Sequence, residues 1–248
     1  MKRFTIGSGA VALMGMLGVG AAVGQVVNGS FEMNGGSTEG WEGDATLDGA
    51  MLPLALQPPP DGSHYASLEG SGWNNPTKEI NQTISGLTPG AVARVWVVDA
   101  AGSWNISITT QIEVSGITTE VRSVPNDANG GYEWQPTYVD VQIPATGEVH
   151  IRFAVIPEAG FTSGYGYYID DIQVEVIYHR SDWDHDGDVD QSDFGLFQAC
   201  ISGPAVPLQP GCEAQDLDGD DDVDLTDFGL FQRCLTGSSG IPDFDCTQ

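Results

Sequence analysis

Asp182-Trp-Asp-His-Asp-Gly-Asp-Val-Asp-Gln-Ser-Asp-Phe-Gly-Leu-Phe-Gln198 returns 34 residues later as Asp216-Leu-Asp-Gly-Asp-Asp-Asp-Val-Asp-Leu-Thr-Asp-Phe-Gly-Leu-Phe-Gln232. A hard divalent cation takes six to eight oxygen ligands at about 2.3–2.6 Å, and a twelve-residue loop supplies them from positions 1, 3, 5, 7, 9 and 12. Those positions are Asp182, Asp184, Asp186, Asp188, Asp190 and Asp193 in the first copy, and Asp216, Asp218, Asp220, Asp222, Asp224 and Asp227 in the second. Position 7 offers its backbone carbonyl and position 9 can act through water. Gly187 at position 6 permits a left-handed turn. Asp221 stands there in the second copy, at a cost of order 1 kcal/mol, so the second site is expected to be the weaker. The spacing predicts two calcium loops.

A short helix is expected after each loop. Phe194, Phe197 and Ile201 fall at i, i+3 and i+7, and Phe228, Phe231 and Leu235 repeat them. Gly203 and Gly237 are expected to end the two helices. One such helix cannot bury its own apolar stripe, but two copies can bury theirs against each other. The cysteines obey the same period: Cys200 and Cys212 are 12 apart, as are Cys234 and Cys246. Four cysteines allow three connectivities, of which the repeat favours Cys200–Cys212 with Cys234–Cys246. Zinc is the rival reading, disfavoured by the lack of a C-x-x-C pair and by an oxidising compartment.

The stretch from Ser181 to Gly237 resembles a type I dockerin domain, with two loop–helix repeats, no helix entering the first loop, and Asp at position 12. The resemblance implies a cohesin-like scaffold partner. It also implies partner contacts at loop positions 10 and 11, which here are Gln191, Ser192, Leu225 and Thr226.

At the other end, Lys2 and Arg3 precede an apolar, Gly/Ala-rich run from Phe4 to Val23, with Ala22-Val23-Gly24 as a small-residue cleavage site. Residues 1–24 therefore read as a secretory signal peptide rather than an uncleaved anchor. The protein is expected to be secreted or held at the cell surface, with no membrane insertion after cleavage. The formal charge is −27, from 35 Asp+Glu against 8 Lys+Arg. That sign excludes nucleic-acid binding through a basic groove and disfavours docking on an anionic membrane.

Residues 25–178 show short alternating runs split by Gly, Pro, Asn and Ser. Strands are expected at 93–98, 106–112, 138–143, 149–155 and 168–177, giving an antiparallel β-sandwich. The small helical module then occupies 179–248, with little or no linker. Asn28-Gly-Ser-Phe-Glu32, Gly40-Trp41, Asp61-Gly-Ser-His-Tyr-Ala-Ser-Leu68, Ile80-Asn-Gln-Thr-Ile-Ser-Gly-Leu87 and Tyr167-Tyr-Ile-Asp-Asp-Ile172 together resemble the galactose-binding-like jelly rolls, especially carbohydrate-binding modules of families 4 and 9. The overall class is thus mainly β: a jelly-roll sandwich followed by an all-α, EF-hand-like calcium module. The resemblance implies a structural calcium held by Glu32 and by Asp170 or Asp171. Asp170 is favoured, because simple alternation puts it on the inward face of Ile172 and Val174.

Binding a polysaccharide or cell-surface glycan needs flat aromatic faces beside amides and carboxylates. Candidates are Trp73, Trp96, Trp104 and Tyr132, with Trp41 and Trp134 expected to be structural. Trp96 shares with Arg94 the face opposite Val95 and Val97. Nothing marks an enzyme: the histidines at 64, 150, 179 and 185 form no metal spacing, and Asp99, Glu113, Glu133, Asp140 and Glu158 follow no motif. A hydrolase or lyase on the jelly roll, and a structural surface protein, are the alternatives to a passive binder.

Overall fold

A computed structural model describes residues 25–48, 59–70, 76–103, 106–124, 133–158, 164–238, 240, 242–243 and 245–246. The expected signal peptide and the candidate residues Trp73, Trp104 and Tyr132 lie outside them. Among the described residues no helix is long and apolar enough to cross a membrane.

The described residues form ten strands in two five-stranded sheets. They are β1 (Glu42–Gly43), β2 (Thr46–Leu47), β3 (Ala66–Gly70), β4 (Lys78–Ile84), β5 (Val92–Ser103), β6 (Ile108–Val114), β7 (Ile117–Val124), β8 (Gln135–Gln142), β9 (Val149–Pro157) and β10 (Tyr165–Ile177). The first sheet runs β1-β4-β9-β6-β7 and the second β2-β3-β10-β5-β8, with every pair antiparallel. Alternation builds the core. On β9 the side chains of Val149, Ile151, Phe153 and Val155 are buried, and they face Val95, Val97, Leu68 and Tyr167 of the other sheet in one cluster. Burying each such aliphatic or aromatic group contributes roughly 1.5–3 kcal/mol. Trp41 is structural, as expected: it packs 5.9 Å from both Phe31 and Phe153, and its indole N–H donates to the Asn28 carbonyl.

One expectation about facing fails. The ladder between β10 and β5 slips between Asp170 and Gln173, and Asp171 takes a left-handed φ of 47°. This bulge resets the alternation. Tyr165, Tyr167 and Ile169 point into the core before it, and Ile172, Val174 and Val176 after it. Asp170 therefore shares the face of Tyr168, not that of Ile172. It is buried nonetheless, because the Asp61 segment covers it.

The C-terminal module contains α1 (Gln191–Cys200) and α2 (Leu225–Cys234). Asp190 and Asp224 cap them, each in a reciprocal capping box with Asp193 or Asp227. Both helices end earlier than expected. Ile201 and Leu235 are already extended, with φ near −60°, and they are exposed rather than part of the buried stripe. The segment that follows does another job. Ser202 and Gly203 donate their N–H groups to the Val223 carbonyl, and Thr236 and Gly237 donate theirs to the Val189 carbonyl. The Val223 and Val189 amides answer by donating to Ser202 Oγ and Thr236 Oγ1. Each repeat's tail thus closes the other repeat's loop. The rings stack across the same axis, with Phe197 and Phe231 at 5.7 Å and Trp183 and Phe231 at 5.3 Å. The disulfides are Cys200–Cys212 and Cys234–Cys246, the pairing the repeat favours.

Four residues separate β10 from Asp182, and one of them ties the module together. The buried His179 accepts the Ser181 N–H at Nδ1 over 3.0 Å and sets Nε2 3.2 Å from Cys246 Sγ. An accepting Nδ1 requires the neutral ring, and burial holds its pKa below the ordinary value. A depressed histidine pKa gives stability that is complete above the unfolded value of about 6.5 and is lost as pH falls through the lowered value. Thermal unfolding in constant calcium is therefore expected to show the wild type losing stability from pH 7.5 to 5. The His179→Gln variant is expected to lose less over that window. Parallel pH profiles for the two proteins would contradict this role.

Candidate metal loops and ligand-facing surfaces

The aspartates of each loop are folded by their own backbone. Asp182 accepts the N–H groups of Asp186 and Gly187, on different oxygens, at 3.2 and 3.0 Å. Asp193 Oδ1 accepts those of Trp183 and Asp184, and its Oδ2 that of Asp190. The second loop repeats the pattern through Asp216, which takes Asp220 and Asp221, and Asp227, which takes Leu217, Asp218 and Asp224. The position-12 carboxylate therefore pins both ends of its loop. Gly187 and Asp221 have the left-handed φ expected at position 6, 97° and 70°.

Ligand atoms converge accordingly. Asp182, Asp184 and Asp193 lie within 4.8 Å of one another, as do Asp188, Asp190 and Asp193. The groups Asp216, Asp218, Asp227 and Asp222, Asp224, Asp227 match them in the second loop. Asp186 and Asp220 stand outside these groups, exposed on the loop rim. The crowding has an electrostatic signature. Burial, helped by the Asp193 charge, pushes Asp182 up to about 6, and burial with Asp193 and Asp186 raises Asp184. An all-oxygen, all-anionic donor set is the chemistry a hard divalent cation takes. His179, Cys234 and Cys246 also converge, but their sulfurs are joined in the disulfide.

Glu32 and Asp170 meet the same segment, 61–64, through different groups. One Glu32 oxygen accepts the N–H groups of Ser63 and His64. The Ser63 bond leads the causes that hold its pKa low. Asp170 Oδ2 accepts the Asp61 N–H at 3.0 Å, while its buried Oδ1 has no hydrogen-bond partner among the described residues. Burial pushes Asp170 up to about 7. Asp170 Oδ1 fits a cation ligand, and one Glu32 oxygen clamps residues 63 and 64. Neither residue joins a cluster of three ligand groups among the described residues.

Gln191, Ser192, Leu225 and Thr226 open the two helices and are exposed, Leu225 at 83%. Around Leu225 lies an apolar groove of about 250 Å³ formed with Phe194, Ile201, Pro204 and Phe228. The 34-residue period carries these positions onto a second groove lined by Gln191, Phe194, Phe228 and Leu235. The two grooves meet at the Phe194–Phe228 contact, 5.5 Å between ring centres. They differ where Leu225 and Pro204 of the first are replaced by Gln191 and Ser238 in the second.

Trp96 lies, half-buried, on the outer face of the second sheet, paired in register with Tyr138 on β8 and Gln173 on β10. The two rings are 4.9 Å apart and Tyr138 is 52% exposed. Arg94 lies over both rings, at 4.6 Å from Tyr138 and 5.7 Å from Trp96. Asp140 grips its guanidinium with two bonds of 2.7 Å. The sequence reading missed Tyr138 and Asp140 as members of this patch. Their outward alternation was visible, but not which strand would lie beside β5. Further along the same face Tyr65 meets Trp134 and Tyr168 edge-on, at 5.8 and 5.7 Å, which agrees with a structural Trp134. Asn28 opens a glycosylation triplet, but its amide donates to the Ser37 and Glu39 carbonyls and its Oδ1 accepts the Met33 N–H. It is a bracket for the N-terminal turn.

No protein-family model matches the chain, and no curated protein sequence does. Among solved structures, TmCBM61 in complex with β-1,4-galactotriose is similar at 17% identity and TM-score 0.42, covering 60% of this chain and 95% of that one. A family 16 carbohydrate-binding module gives 18% identity and 0.33, covering 60% and 98%. The C-terminal family 22 module of Clostridium thermocellum Xyn10B gives 17% and 0.33, covering 63% and 96%. Likeness at these levels decides no ligand and no function.

Proposed function

We propose that this chain is a secreted, non-catalytic adaptor. Its paired aspartate loops hold calcium and present a dockerin-like face to a cohesin-like scaffold domain, while its sandwich holds a glycan. The observation that carries the reading is the pair of carboxylate triads in each loop, sharing Asp193 or Asp227, in two loops that close one another. Asp182, Asp184, Asp186, Asp190 and Asp193 with the Asp188 carbonyl would hold one ion, and Asp216, Asp218, Asp220, Asp224 and Asp227 with the Asp222 carbonyl the other. Calcium supplies the positive charge that this cluster lacks: from Ser181 to Gln248 there are 16 acidic residues and one basic residue, Arg233. A third ion at Asp170, beside the orphaned Oδ1, belongs to the same proposal.

The docking partner would bury the apolar grooves around Leu225 and Leu235, with Gln191, Ser192 and Thr226 at the rim. On the sandwich, Trp96 and Tyr138 offer ring faces to sugar C–H surfaces, and Gln173 and Asp140 offer polar groups beside them. The one cation of that patch, Arg94, is already neutralised by Asp140, and Glu175 stands opposite it in the ladder. Neutral polysaccharides therefore suit it better than polyanionic ones.

The metal reading is tested by thermal unfolding and calorimetry of the full mature chain. Calcium should raise the melting temperature and a chelator reverse it, and Asp227→Ala should remove one of the two loop sites. An unchanged melt would overturn the proposal. Partner docking is measured by surface plasmon resonance against purified cohesin-like domains. Leu225→Asp should weaken capture tenfold or more, about 1.4 kcal/mol, without changing calcium uptake. Equal capture in calcium and in chelator counts against it.

Glycan binding is read by affinity electrophoresis in neutral polysaccharides. There Trp96→Ala combined with Tyr138→Ala should abolish retardation. Release of reducing ends from the same polymers would identify an enzyme instead.

A further inference from the structure

The two aspartate loops place their glycine at opposite positions. Loop one has His185 at position 4 and Gly187 at position 6, whereas loop two has Gly219 and Asp221. All four residues take left-handed backbone, with φ of 59°, 97°, 78° and 70°. For His and Asp, unlike Gly, that conformation is strained. The coil follows the same left-handed course in both loops, although Gly219 also donates its N–H to Asp216 and His185 has no matching bond to Asp182 among those of the described residues.

The surroundings differ: on loop two the 205–208 segment is bonded, Ala205 donating its N–H to Asp222 Oδ2 and Leu208 to the Asp221 carbonyl. Loop two exposes Gly219 and Asp221 to solvent, and nothing stands where a Gly219 Cβ would point. Loop one lies against the sandwich. The His185 ring stacks on Tyr178 at 4.3 Å and 18°, and the Tyr178 hydroxyl is 3.2 Å from Thr88 Oγ1. Beside that stack the Gly187 backbone meets the Pro89–Gly90 turn. A Cβ on Gly187 would overlap the Pro89 carbonyl, and one on Gly90 would overlap the Gly187 carbonyl. A cleft of about 340 Å³, lined by both Gly90 and Asp188, borders the contact. Where the sandwich needs a ring, loop one keeps a strained histidine; where it needs bare backbone, loop one keeps glycine.

We propose that the first loop is also the docking surface for the sandwich, and that divalent-cation occupancy of this loop decides whether sandwich and helical module form one rigid body. The inference rests on the calcium reading above. The docked surface is the His185 ring and the Gly187 backbone, and the turn between them is held in shape by the Asp186 and Gly187 N–H bonds to Asp182 and Asp184. Those carboxylates are among the ones an ion would draw inward, and without one they repel. Among the described residues no ring stack or glycine contact of this kind ties loop two to the sandwich, so loop two reaches the joint only through the tails that close each loop.

The test is small-angle scattering of the full mature chain, with calorimetry alongside to count bound calcium. The wild type is expected to be compact in calcium and to broaden in chelator. Gly187→Asp and His185→Gly each give loop one the residue that loop two has at that position. Both should keep two loop sites by calorimetry yet scatter in calcium like the chelated wild type. Asp221→Gly should leave scattering unchanged. If the loops fill and empty while wild-type scattering stays constant, or if both loop-one variants remain compact, the coupling is refuted and the calcium reading stands. If calorimetry finds no calcium in either loop, the calcium reading fails and takes the coupling with it.

Discussion

Six carboxylates packed into twelve residues is the constraint on which the C-terminal module turns. Like charges at a few ångströms repel, and burial makes each charge costlier. Burial first, and the Asp193 charge after it, push Asp182 up to about 6. The chain offsets part of this repulsion with its own amides, above all those that Asp193 and Asp227 accept from both ends of a loop. The rest of the closure comes from elsewhere: loop one is sealed by Thr236 and Gly237, loop two by Ser202 and Gly203. Each loop's closure therefore depends on the other repeat. The disulfides secure the segment that follows each helix, on which this exchange depends.

Much of the module was legible because its determinants are local. Ligand spacing, capping aspartates and cysteine period all act within a dozen residues, and the internal repeat doubles each signal. The helix ends were misread for a non-local reason. Gly203 and Gly237 look like terminators, yet the helices stop earlier so that the intervening residues can reach the opposite loop. In the sandwich the same division holds. Strands such as 149–155 announce themselves by alternation. The slip at Asp171 does not, since a left-handed aspartate inside an apolar run leaves no mark in composition. That one residue moves Asp170 to the other face.

The aromatic patch on the second sheet shows the same limit. Trp96 was visible as outward-facing, but its meaning depends on Tyr138, 42 positions away in the chain and adjacent only through the pairing of β5 with β8. Arg94 and Asp140 face each other two positions on by the same register. Their bidentate bond sets the charge of the whole patch, so the chemistry of this face is a property of strand order rather than of any single segment.

The short passage from β10 into the first aspartate loop has a mechanical side. Four residues, one of them locked by a ring stack and another by the C-terminal disulfide, leave no slack to absorb motion. A protein anchored at one end and gripping a surface at the other would pass any pull straight through this joint. Load would reach the antiparallel ladder of β10, the central strand of its sheet, along the strand direction. Many bonds there would have to shear together before any one yields.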